Sequence, residues 1–434
     1  MHIHFIGIGG IGMSALAKYY LSQGAAISGS DLASSEITDE LGKMDVKIII
    51  GTHKKSNLPK DVNRVIYTAA TPKSNSELKE AVKRRIKRQN YAEAIGELTK
   101  QYKTITVSGA HGKSTTTALA ALVLEEGHRD PTVIIGTKVK EFGNSNFRRG
   151  YGPNLVLEAD EWNKSFLEYS PWIAIVTNID AEHLDTYKNK KNVERAFAEF
   201  LAKVPGEGKI IANADDETLK LVTEKFGKKV IWYSLDDAEA GIVHKTIRLP
   251  GKHNISNALA ALKLGRFLGI RETHILQALS QFNGTWRRFE FKGIKNGANI
   301  YLDYGHHPRE IRATIQAARE RFPLRRVWCV YQPHQYQRLA YLWDDFIGAF
   351  DMADRVVLVP VYDVAGRETQ NAKTKVNSKK LAAELKKRGK DTEYSDSFAA
   401  AQNFIESGIR QGDVVLVMGA GDIYGLALDL VAVQ

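Results

Sequence analysis

The chain has 434 residues, of which 43% are hydrophobic and 26% are charged, as expected for a globular protein of two to three domains. No apolar stretch approaches the ~20 residues needed to span a bilayer, and the first residues lack a signal-peptide pattern. The single cysteine, Cys329, excludes an internal disulfide framework and, within an apolar run, is predicted to be a buried structural thiol. We therefore expect a cytoplasmic protein that does not bind membranes.

The formal net charge is +11, and binding to nucleic acid is one explanation for it. The basic residues are spread along the chain, however. Only 83–88 forms a dense run, which is predicted to be the solvated face of a helix. We prefer a second explanation, in which the positive charge attracts small polyanionic substrates such as nucleotides, and we expect no nucleic-acid partner. Charge alone does not distinguish the two.

Three blocks of the chain repeat the order strand, loop, helix, which predicts an α/β fold with parallel strands. The blocks begin with strands at Met1–Ile6, Thr104–Val107 and Ala298–Leu302. Their helices are predicted to run to about Ser22, to about Glu126 and from about Arg309. Further strands are predicted at Leu155–Leu157, Ile173–Thr177, Lys209–Ala212, Val327–Val330, Val356–Val359 and Val414–Val417.

A glycine-rich turn with glycines at 7, 9, 10 and 12 joins the first strand to the first helix, and Asp31 follows the second strand. Glycines let the backbone approach a pyrophosphate, the helix N-terminus attracts anions, and the acid can bind a ribose hydroxyl. A tight turn needed only for packing is the plainer interpretation, but the flanking strand and helix favour nucleotide binding. The pattern does not specify which nucleotide, so a dehydrogenase remains open at this point.

A second loop, Gly109–Thr115, has the Gly-Lys-Ser ending of phosphate-binding loops, although Val107 stands where their first glycine should be. Backbone N–H groups of such a loop cradle phosphates, Lys113 would meet the β- and γ-phosphates, and Ser114 would hold Mg²⁺. A chance match is the alternative. The strand before the loop and the helix after it favour ATP binding instead.

Carboxylates follow the strand at 155–157, where Glu158, Asp160 and Glu161 suit a second ligand to Mg²⁺. A solvated acidic loop is an equal alternative by itself, and the phosphate loop upstream decides between them. His183 lies among carboxylates just past the next strand and could bind metal, although a lone histidine is more often structural.

Each of the later motifs, taken alone, is a weaker indication of a binding site. Asn254 and Asn257 lie one helical turn apart and could read the edge of a base, but taken alone helix capping explains them better. Two loops, 303–308 and 332–338, each follow a strand of the third block. The tandem pair of histidines in the first of these has no further ligand at zinc spacing, so we predict a substrate loop rather than a metal cage.

Taken in chain order, these motifs resemble the Mur ligase family. The series is Gly-x-His-Gly-Lys-Ser-Thr at 109–115, Glu-Ala-Asp-Glu at 158–161, Thr-Asn-Ile-Asp-x-x-His-x-Asp at 177–185, His-Asn-x-x-Asn at 253–257 and Thr-x-Arg-Arg-Phe at 285–289. The resemblance runs from Ile3 to about Gly421. Within the family, the segments 7–13, 304–308 and 332–334 are similar to the member that adds L-alanine.

The resemblance implies three domains, each with a largely parallel sheet flanked by helices. They are a Rossmann-like UDP-sugar-binding domain at 1–96, a central ATP-binding domain like P-loop ATPases at 97–284, and a Rossmann-like amino-acid-binding and closing domain at 285–434. The implied ATP-binding residues are Gly109, Ala110, His111, Gly112, Lys113, Ser114, Thr115, His253, Asn254, Asn257, Arg288 and Asp303. The implied substrate-binding residues are Gly9, Gly10, Ile11, Asp31, Tyr304, His306, His334 and Arg338. The implied Mg²⁺ ligands are Ser114, Glu158 and His183, and the implied catalytic residues are Lys113, Glu158, His183 and His306.

The implied activity is ATP-dependent ligation of L-alanine to UDP-N-acetylmuramate through an acyl phosphate, in peptidoglycan precursor synthesis, by a monomer or weak dimer. Gln335 departs from the family, which often has an arginine there. Three alternatives stay open: a related ligase that attaches a whole tripeptide to the same nucleotide sugar, a nicotinamide-dependent dehydrogenase, and a non-catalytic nucleotide sensor.

Overall fold

The computed structural model describes residues 1–180, 184–363 and 370–432. The chain divides into two compact units, one of Met1–Arg248 with Asn254–Asn283, the other of Leu249–His253 with Gly284–Gln434. The first unit holds a five-stranded and a seven-stranded sheet, and the second holds a six-stranded sheet. The predicted α/β fold with three largely parallel sheets is therefore confirmed. The domain boundaries near residues 96 and 284 stay predictions.

The first sheet is fully parallel, with the strand order β3-β2-β1-β4-β5. Its central strand carries Ile3, Phe5 and Ile6, all buried, as a strand covered on both faces requires. The strands are β1 His2–Ile6, β2 Ala26–Asp31, β3 Lys47–Ile50, β4 Arg64–Tyr67 and β5 Lys87–Asn90. The helices are α1 Ile11–Ser22, α2 Glu36–Gly42, α3 Ser76–Lys83 and α4 Tyr91–Thr99.

The basic run at 83–88 was predicted to lie on one helix face, and this is wrong. Helix α3 ends at Lys83, Arg85 has a left-handed backbone (φ 56°), and β5 begins at Lys87. The cause is a contact distant in sequence: the Arg84 guanidinium donates to the carbonyl oxygens of Leu58, Pro59 and Lys60.

Glu77 of α3 is a fully buried carboxylate inside the first sheet's packing. Burial acts to raise its pKa, but hydrogen bonds from neighbouring side chains lower the pKa to about 2. The partners, with distances to the Glu77 oxygens, are His4 at 3.0 Å, Ser30 at 2.7 Å, His53 at 3.0 Å and Asn57 at 2.9 Å. The network ties β1, β2 and the segment after β3 to one helix.

The second sheet has the order β12-β11-β10-β6-β9-β7-β8, in which only β8 runs antiparallel to its neighbour. The strands are β6 Lys103–Ser108, β7 Thr132–Val139, β8 Ser145–Arg148, β9 Asn154–Glu158, β10 Ile173–Val176, β11 Lys209–Asn213 and β12 Val230–Tyr233. The helices are α5 Lys113–Glu126, α6 Leu184–Tyr187, α7 Lys190–Ala202, α8 Glu217–Thr223, α9 Ala240–Thr246, α10 Lys252–Phe267 and α11 Glu272–Gln281. Because β6 lies between β9 and β10, the carboxyl ends of these three parallel strands meet at one edge.

The two sheets of the first unit share one hydrophobic core and a polar contact at α1. Lys18 of α1, almost fully buried, donates to Asn146 of β8 at 2.9 Å. The Asn146 amide in turn donates to the Ile11 carbonyl at 2.7 Å. The start of the helix after the glycine-rich turn is thereby held against the second sheet.

The sheet of the second unit has the order β13-β14-β18-β15-β16-β17 and is parallel except for β13. Its strands are β13 Glu290–Lys295, β14 Ala298–Asp303, β15 Val327–Tyr331, β16 Arg355–Leu358, β17 Thr392–Tyr394 and β18 Val414–Met418. The helices are α12 Pro308–Arg321, α13 Tyr336–Tyr341, α14 Trp343–Ile347, α15 Gln370–Lys375, α16 Ser378–Lys387, α17 Phe398–Gly408 and α18 Tyr424–Val431.

Cys329 lies in β15 and is fully buried, as predicted. Of the helices in the part of the chain that the structure describes, none is both long and apolar enough to cross a bilayer.

Candidate active site

The phosphate loop leaves β6 at the edge where β9 and β10 also end. Gly109 has φ +132°, and a Cβ there would lie 2.2 Å from Thr177 Oγ1, so the loop path requires glycine at this point. Helix α5 begins at Lys113, directly after the loop, with its first N–H groups at the loop's end. This is the strand–loop–helix arrangement that the sequence predicts.

Two residues after β10 hold the loop in shape. Asn178 accepts a hydrogen bond from the His111 N–H at 2.9 Å and donates to the His111 carbonyl at 3.0 Å. The Thr177 hydroxyl donates to the same carbonyl at 2.6 Å, and the Ala110 N–H donates to the Asn178 carbonyl at 3.3 Å. Neither Thr177 nor Asn178 was among the predicted site residues. The available signal was their position at the end of a strand near the loop.

Lys113 is held by carboxylates. Its ammonium donates to both oxygens of Glu161, at 3.1 and 3.2 Å, and to the Gly109 carbonyl at 2.7 Å. Glu161 is only 2% exposed, and Asp160 lies 3.9 Å from the same ammonium. Burial acts to lower the pKa of Lys113, but the carboxylates of Glu161, Asp160 and Glu158 raise it overall, so the lysine is charged at neutral pH. The sequence suggested Glu161 as a candidate Mg²⁺ ligand and did not predict this contact with the lysine.

Ser114 and Glu158 lie side by side, as the predicted metal site requires. The Ser114 hydroxyl donates to Glu158 at 3.0 Å, and the other carboxylate oxygen accepts the Gly136 N–H at 2.8 Å. Burial raises the pKa of Glu158, and the Lys113 charge opposes this. A nearby cation would favour the ionised carboxylate in the same way. His183, the third predicted ligand, lies outside the described residues.

Apart from Arg288 and Asp303, the remaining predicted ATP-binding residues lie on the loop and on α10. Thr115 is buried in the first turn of α5. Asn257 is buried against the loop, since a Cβ on Gly112 would lie 2.4 Å from its Oδ1. Asn254 is buried one turn earlier, and His253 is exposed. In the ligand-free chain Asn257 therefore touches the phosphate loop. A contact of these residues with adenine stays a prediction.

The glycine-rich turn of the first sheet is braced by Asp31. Its Oδ2 accepts the Gly9 N–H at 2.8 Å, while Gly10 caps α1 and Ile11 is the first helical residue. The half-buried Asp31 carboxylate thus shapes the turn that was predicted to bind the nucleotide sugar.

In the second unit, Asp303 fixes the backbone at the end of β14. Its two buried oxygens accept the Gly305 N–H at 2.7 Å and the Phe289 N–H at 2.8 Å. Burial raises its pKa, and the Arg288 charge opposes this. Binding of ATP by Asp303 stays a prediction.

The predicted substrate residues of the second unit come together around His306. Its ring lies 5.8 Å from the His334 ring and 5.5 Å from the Tyr304 ring, and Arg338 Nη1 is 3.3 Å from His334 Nδ1. Burial lowers the pKa of His306 well below its usual range; Glu310 opposes this, and the charges of Arg338 and neighbouring groups add to it. At neutral pH His306 is therefore uncharged.

Arg287, next to the predicted Arg288, was missed. It is buried, with φ 60°, and its guanidinium donates to the Gly419 and Gly421 carbonyls at 3.0 and 2.9 Å. It also lies over the Tyr304 ring at 5.1 Å, while Arg288 lies over the same ring at 5.2 Å. A pair of adjacent arginines on one phenol thus fixes the predicted substrate residue Tyr304.

Three family models match successive parts of the chain. They are described as the Mur ligase family, catalytic domain (residues 2–103), the Mur ligase middle domain (107–265) and the Mur ligase, glutamate ligase domain (287–421). The UDP-N-acetylmuramate--L-alanine ligase of Clostridium botulinum is 38% identical, over 98% of this chain and 96% of its own length. The protein of the same name from Clostridium acetobutylicum is 39% identical over 97% and 95%. The crystal structure of UDP-N-acetylmuramate-alanine ligase MurC from Thermotoga maritima matches with a TM-score of 0.84 at 29% identity, over 99% of this chain and 98% of that one. This chain belongs to the Mur ligase family.

Proposed function

We propose that the protein joins L-alanine to UDP-N-acetylmuramate with conversion of ATP to ADP and phosphate, in cytoplasmic peptidoglycan precursor synthesis. One observation carries the proposal: a phosphate loop with a charged Lys113 and a Ser114–Glu158 pair, in a chain 37–39% identical over nearly its full length to relatives of that activity. The glycine-rich turn of the first sheet is the proposed site of the nucleotide sugar.

ATP is proposed to bind at 109–115. The loop presents N–H groups and the start of α5 to the phosphates, and Lys113 supplies the positive charge that a transferring phosphoryl group requires. Thr177 and Asn178 support it indirectly, because they hold the loop's backbone through His111.

Mg²⁺ is proposed to be held by Ser114 and Glu158, with His183 as the third ligand from outside the described residues. A hydroxyl and a partly buried carboxylate oxygen 3.0 Å apart suit a hard cation that keeps water or phosphate oxygens in its other positions. Within the described ranges no three His, Cys, Asp or Glu side chains form a cage, which fits such a sparse site. Bound there, the ion would neutralise phosphoryl oxygens.

The proposed reaction has two steps. A carboxylate oxygen of the lactyl group attacks the γ-phosphorus of ATP. The bond between that phosphorus and the β–γ bridging oxygen breaks, so ADP departs and an acyl phosphate remains. The amine of L-alanine then attacks the acyl carbon, the C–O bond to phosphate breaks, and the nitrogen gives up one proton, which the released phosphate takes, as the amide forms. The first step is needed because a free carboxylate is a poor acyl donor.

L-Alanine is proposed to bind in the second unit, at Tyr304, His306, His334 and Arg338. Arg338 offers a cation for the amino-acid carboxylate. His306, uncharged at neutral pH, is the proposed acceptor of the proton that the ammonium group must lose before it attacks. Gln335, next to this cluster, carries no charge, whereas the family often has an arginine at that position. Arg338 therefore supplies more of the positive charge for the amino-acid carboxylate than it would beside a second arginine.

The test is mass spectrometry of the product formed from UDP-N-acetylmuramate, MgATP and a mixture of amino acids, with phosphate release measured in parallel. We expect the L-alanine adduct and one phosphate per adduct. Lys113→Ala should abolish turnover, and Lys220→Ala, an exposed lysine of α8, is the matched control that should not. Sedimentation of the same preparation tests the expected monomer or weak dimer.

The tripeptide ligase is the remaining alternative within the family. Phosphate release only with the tripeptide, and none with L-alanine, would replace the present proposal by that one. ATP binding without phosphate release in the presence of all substrates would instead indicate a nucleotide sensor. A dehydrogenase leaves the phosphate loop without a role, and binding of nicotinamide nucleotides tests it directly.

A further inference from the structure

Tyr91 lies where the two sheets of the first unit meet. It is the first residue of α4, and the start of that helix is fixed by a double cap: Asn90 accepts the Glu93 N–H at 2.9 Å, and the Glu93 carboxylate accepts the Asn90 N–H at 2.8 Å. Further along α4, a Cβ on Gly96 would lie 2.6 Å from the Glu168 carbonyl oxygen. The helix is thus pressed against the chain that follows the Glu158–Glu161 carboxylates, and the position of Tyr91 is set by backbone contacts.

The Tyr91 hydroxyl faces the glycine-rich turn on one side. A Cβ on Gly12 would lie 2.9 Å from the hydroxyl oxygen and 3.0 Å from the ring carbon that bears it. Gly12, the last glycine of the turn, therefore leaves room for this phenol, and the sequence pattern alone does not reveal that contact.

The charges of Glu158 and Asp160, at the proposed ATP site, act on the same hydroxyl. Burial raises the pKa of Tyr91, and the negative charges of Glu158 and Asp160 raise it further, so the phenol keeps its proton at neutral pH. Among the residues that the structure describes, none accepts a hydrogen bond from it. A neutral donor without a protein acceptor thus lies against the proposed nucleotide-sugar turn, within the field of Glu158 and Asp160.

We propose that Tyr91 binds the carboxylate of the nucleotide sugar and holds it for attack on ATP. The inference rests on the proposed function, which requires that carboxylate to pass from the turn of the first sheet to the phosphate loop of the second. Glu158 and Asp160 repel an incoming carboxylate, so a neutral donor at this point offsets the repulsion without adding a competing cation. Tyr91 donates a hydrogen bond and keeps its proton, and no covalent bond to it forms.

The experiment compares two nucleotide sugars on the Tyr91→Phe variant, which keeps the ring against Gly12. Binding of UDP-N-acetylmuramate and of UDP-N-acetylglucosamine, which lacks the lactyl carboxylate, is measured calorimetrically without ATP. A lost hydrogen bond to a charged group predicts about 10-fold weaker binding of the muramate and unchanged binding of the glucosamine. The KM for MgATP should change by less than about twofold. Such a change corresponds to only a small fraction of the free energy of one hydrogen bond to a charged group.

The control is Tyr19→Phe. Tyr19 lies on α1 in the same interface, and its hydroxyl is 3.5 Å from that of Tyr102 rather than near the carboxylates. Both affinities should be unchanged in it. A second variant, Gly12→Ala, pushes the phenol aside and should also weaken binding of the muramate more than binding of the glucosamine. In the Tyr91→Phe background, the same substitution should weaken binding of the muramate by a smaller factor.

Equal weakening of both nucleotide sugars in Tyr91→Phe would overturn the proposal, since the phenol would then serve the diphosphate or the turn itself. Unchanged affinity for the muramate would overturn it as well. Because the readout is binding alone, it is separable from the proposed function: a wild-type protein that binds the muramate but never ligates L-alanine refutes the latter only.

Discussion

The ion pair between Lys113 and Glu161 should be worth far more than an ordinary surface pair. At 3.1 Å, the Coulomb attraction is about 5 kcal/mol at an effective dielectric constant of about 20, before the cost of removing both groups from water. Glu161 is 2% exposed and the Lys113 side chain 14% exposed, so screening by solvent is small. Lys113 also keeps the Gly109 carbonyl and Asp160 when Glu161 is neutralised. We therefore expect a net coupling of about 2 kcal/mol, between the ~1 kcal/mol of exposed pairs and the ~3–5 kcal/mol cost of breaking buried ones.

The assay is a double-mutant cycle on the ligand-free protein, with Lys113→Met, Glu161→Gln and both together, by urea denaturation. The matched control is a cycle on Glu217 and Lys220, an exposed pair at 2.8 Å on α8, which should give less than about 0.5 kcal/mol. If the two cycles give the same coupling, the view that carboxylates hold Lys113 in place before ATP binds is refuted.

The ion pair between Lys113 and Glu161 also predicts a change in ATP affinity. If Lys113 must break its ion pair with Glu161 to contact the phosphates, then Glu161→Gln removes a group that competes with ATP for the lysine. MgATP should then bind up to about tenfold more tightly. Weaker binding in this variant would mean that Glu161 and ATP share the lysine.

Four further outcomes are expected. Glu77→Gln should cost about 3 kcal/mol at pH 7, because a carboxyl whose pKa falls from 4.5 to about 2 on folding stabilises the protein above pH 4.5 and loses that effect as the pH falls toward 2. Urea unfolding at pH 7 and pH 3 checks this, and a cost independent of pH would contradict it. Gly109→Ala should weaken ATP binding at least about tenfold through strain at φ +132°, whereas Gly206→Ala, with open space around it, should not. His306→Asn should lower kcat with L-alanine at every pH from 6 to 9, since the lowered pKa keeps His306 uncharged throughout; a loss confined to low pH would argue otherwise. Removal of Mg²⁺ by chelation should weaken ATP binding at least about tenfold, with calorimetric titrations in Mg²⁺ and in chelator as the comparison.

The sequence predicted the features of the phosphate loop that are local. A strand, a loop with the Gly-Lys-Ser ending and a helix follow one another within about twenty residues, and the observed β6 and α5 match them within a residue or two at each end. The same is true of the glycine-rich turn and of the strand that precedes Asp303. Each of these signals depends on neighbouring residues, whose spacing and side-chain volume are visible in a single sequence.

The contacts that the sequence did not predict depend on strand order. Thr177 and Glu161 reach the phosphate loop because β10 and β9 flank β6, and nothing in the chain specifies that order before the sheet is assembled. Tyr91 reaches Gly12 because α4 lies between the two sheets. The wrong helix at 83–88 has the same origin, since Arg84 is drawn to carbonyl groups 24 to 26 residues earlier. Sequence patterns located the two glycine-containing loops and Asp31 beside the first, but not Thr177 and Asn178, which hold the second.

The charges around the phosphate loop explain why a metal ion should accompany the nucleotide rather than follow it. Three carboxylates, Glu158, Asp160 and Glu161, act on the single ammonium of Lys113, and all three raise its pKa. A bare triphosphate would enter a region whose own charges sum to about minus two when all four groups are ionised, and like charges at such distances repel strongly in a partly buried site. One divalent cation bound at Glu158 brings that sum to about zero, and it does so at the Ser114 hydroxyl where the phosphate oxygens arrive. The acidic surroundings that keep Lys113 charged are therefore the ones that would make the proposed binding of ATP depend on Mg²⁺.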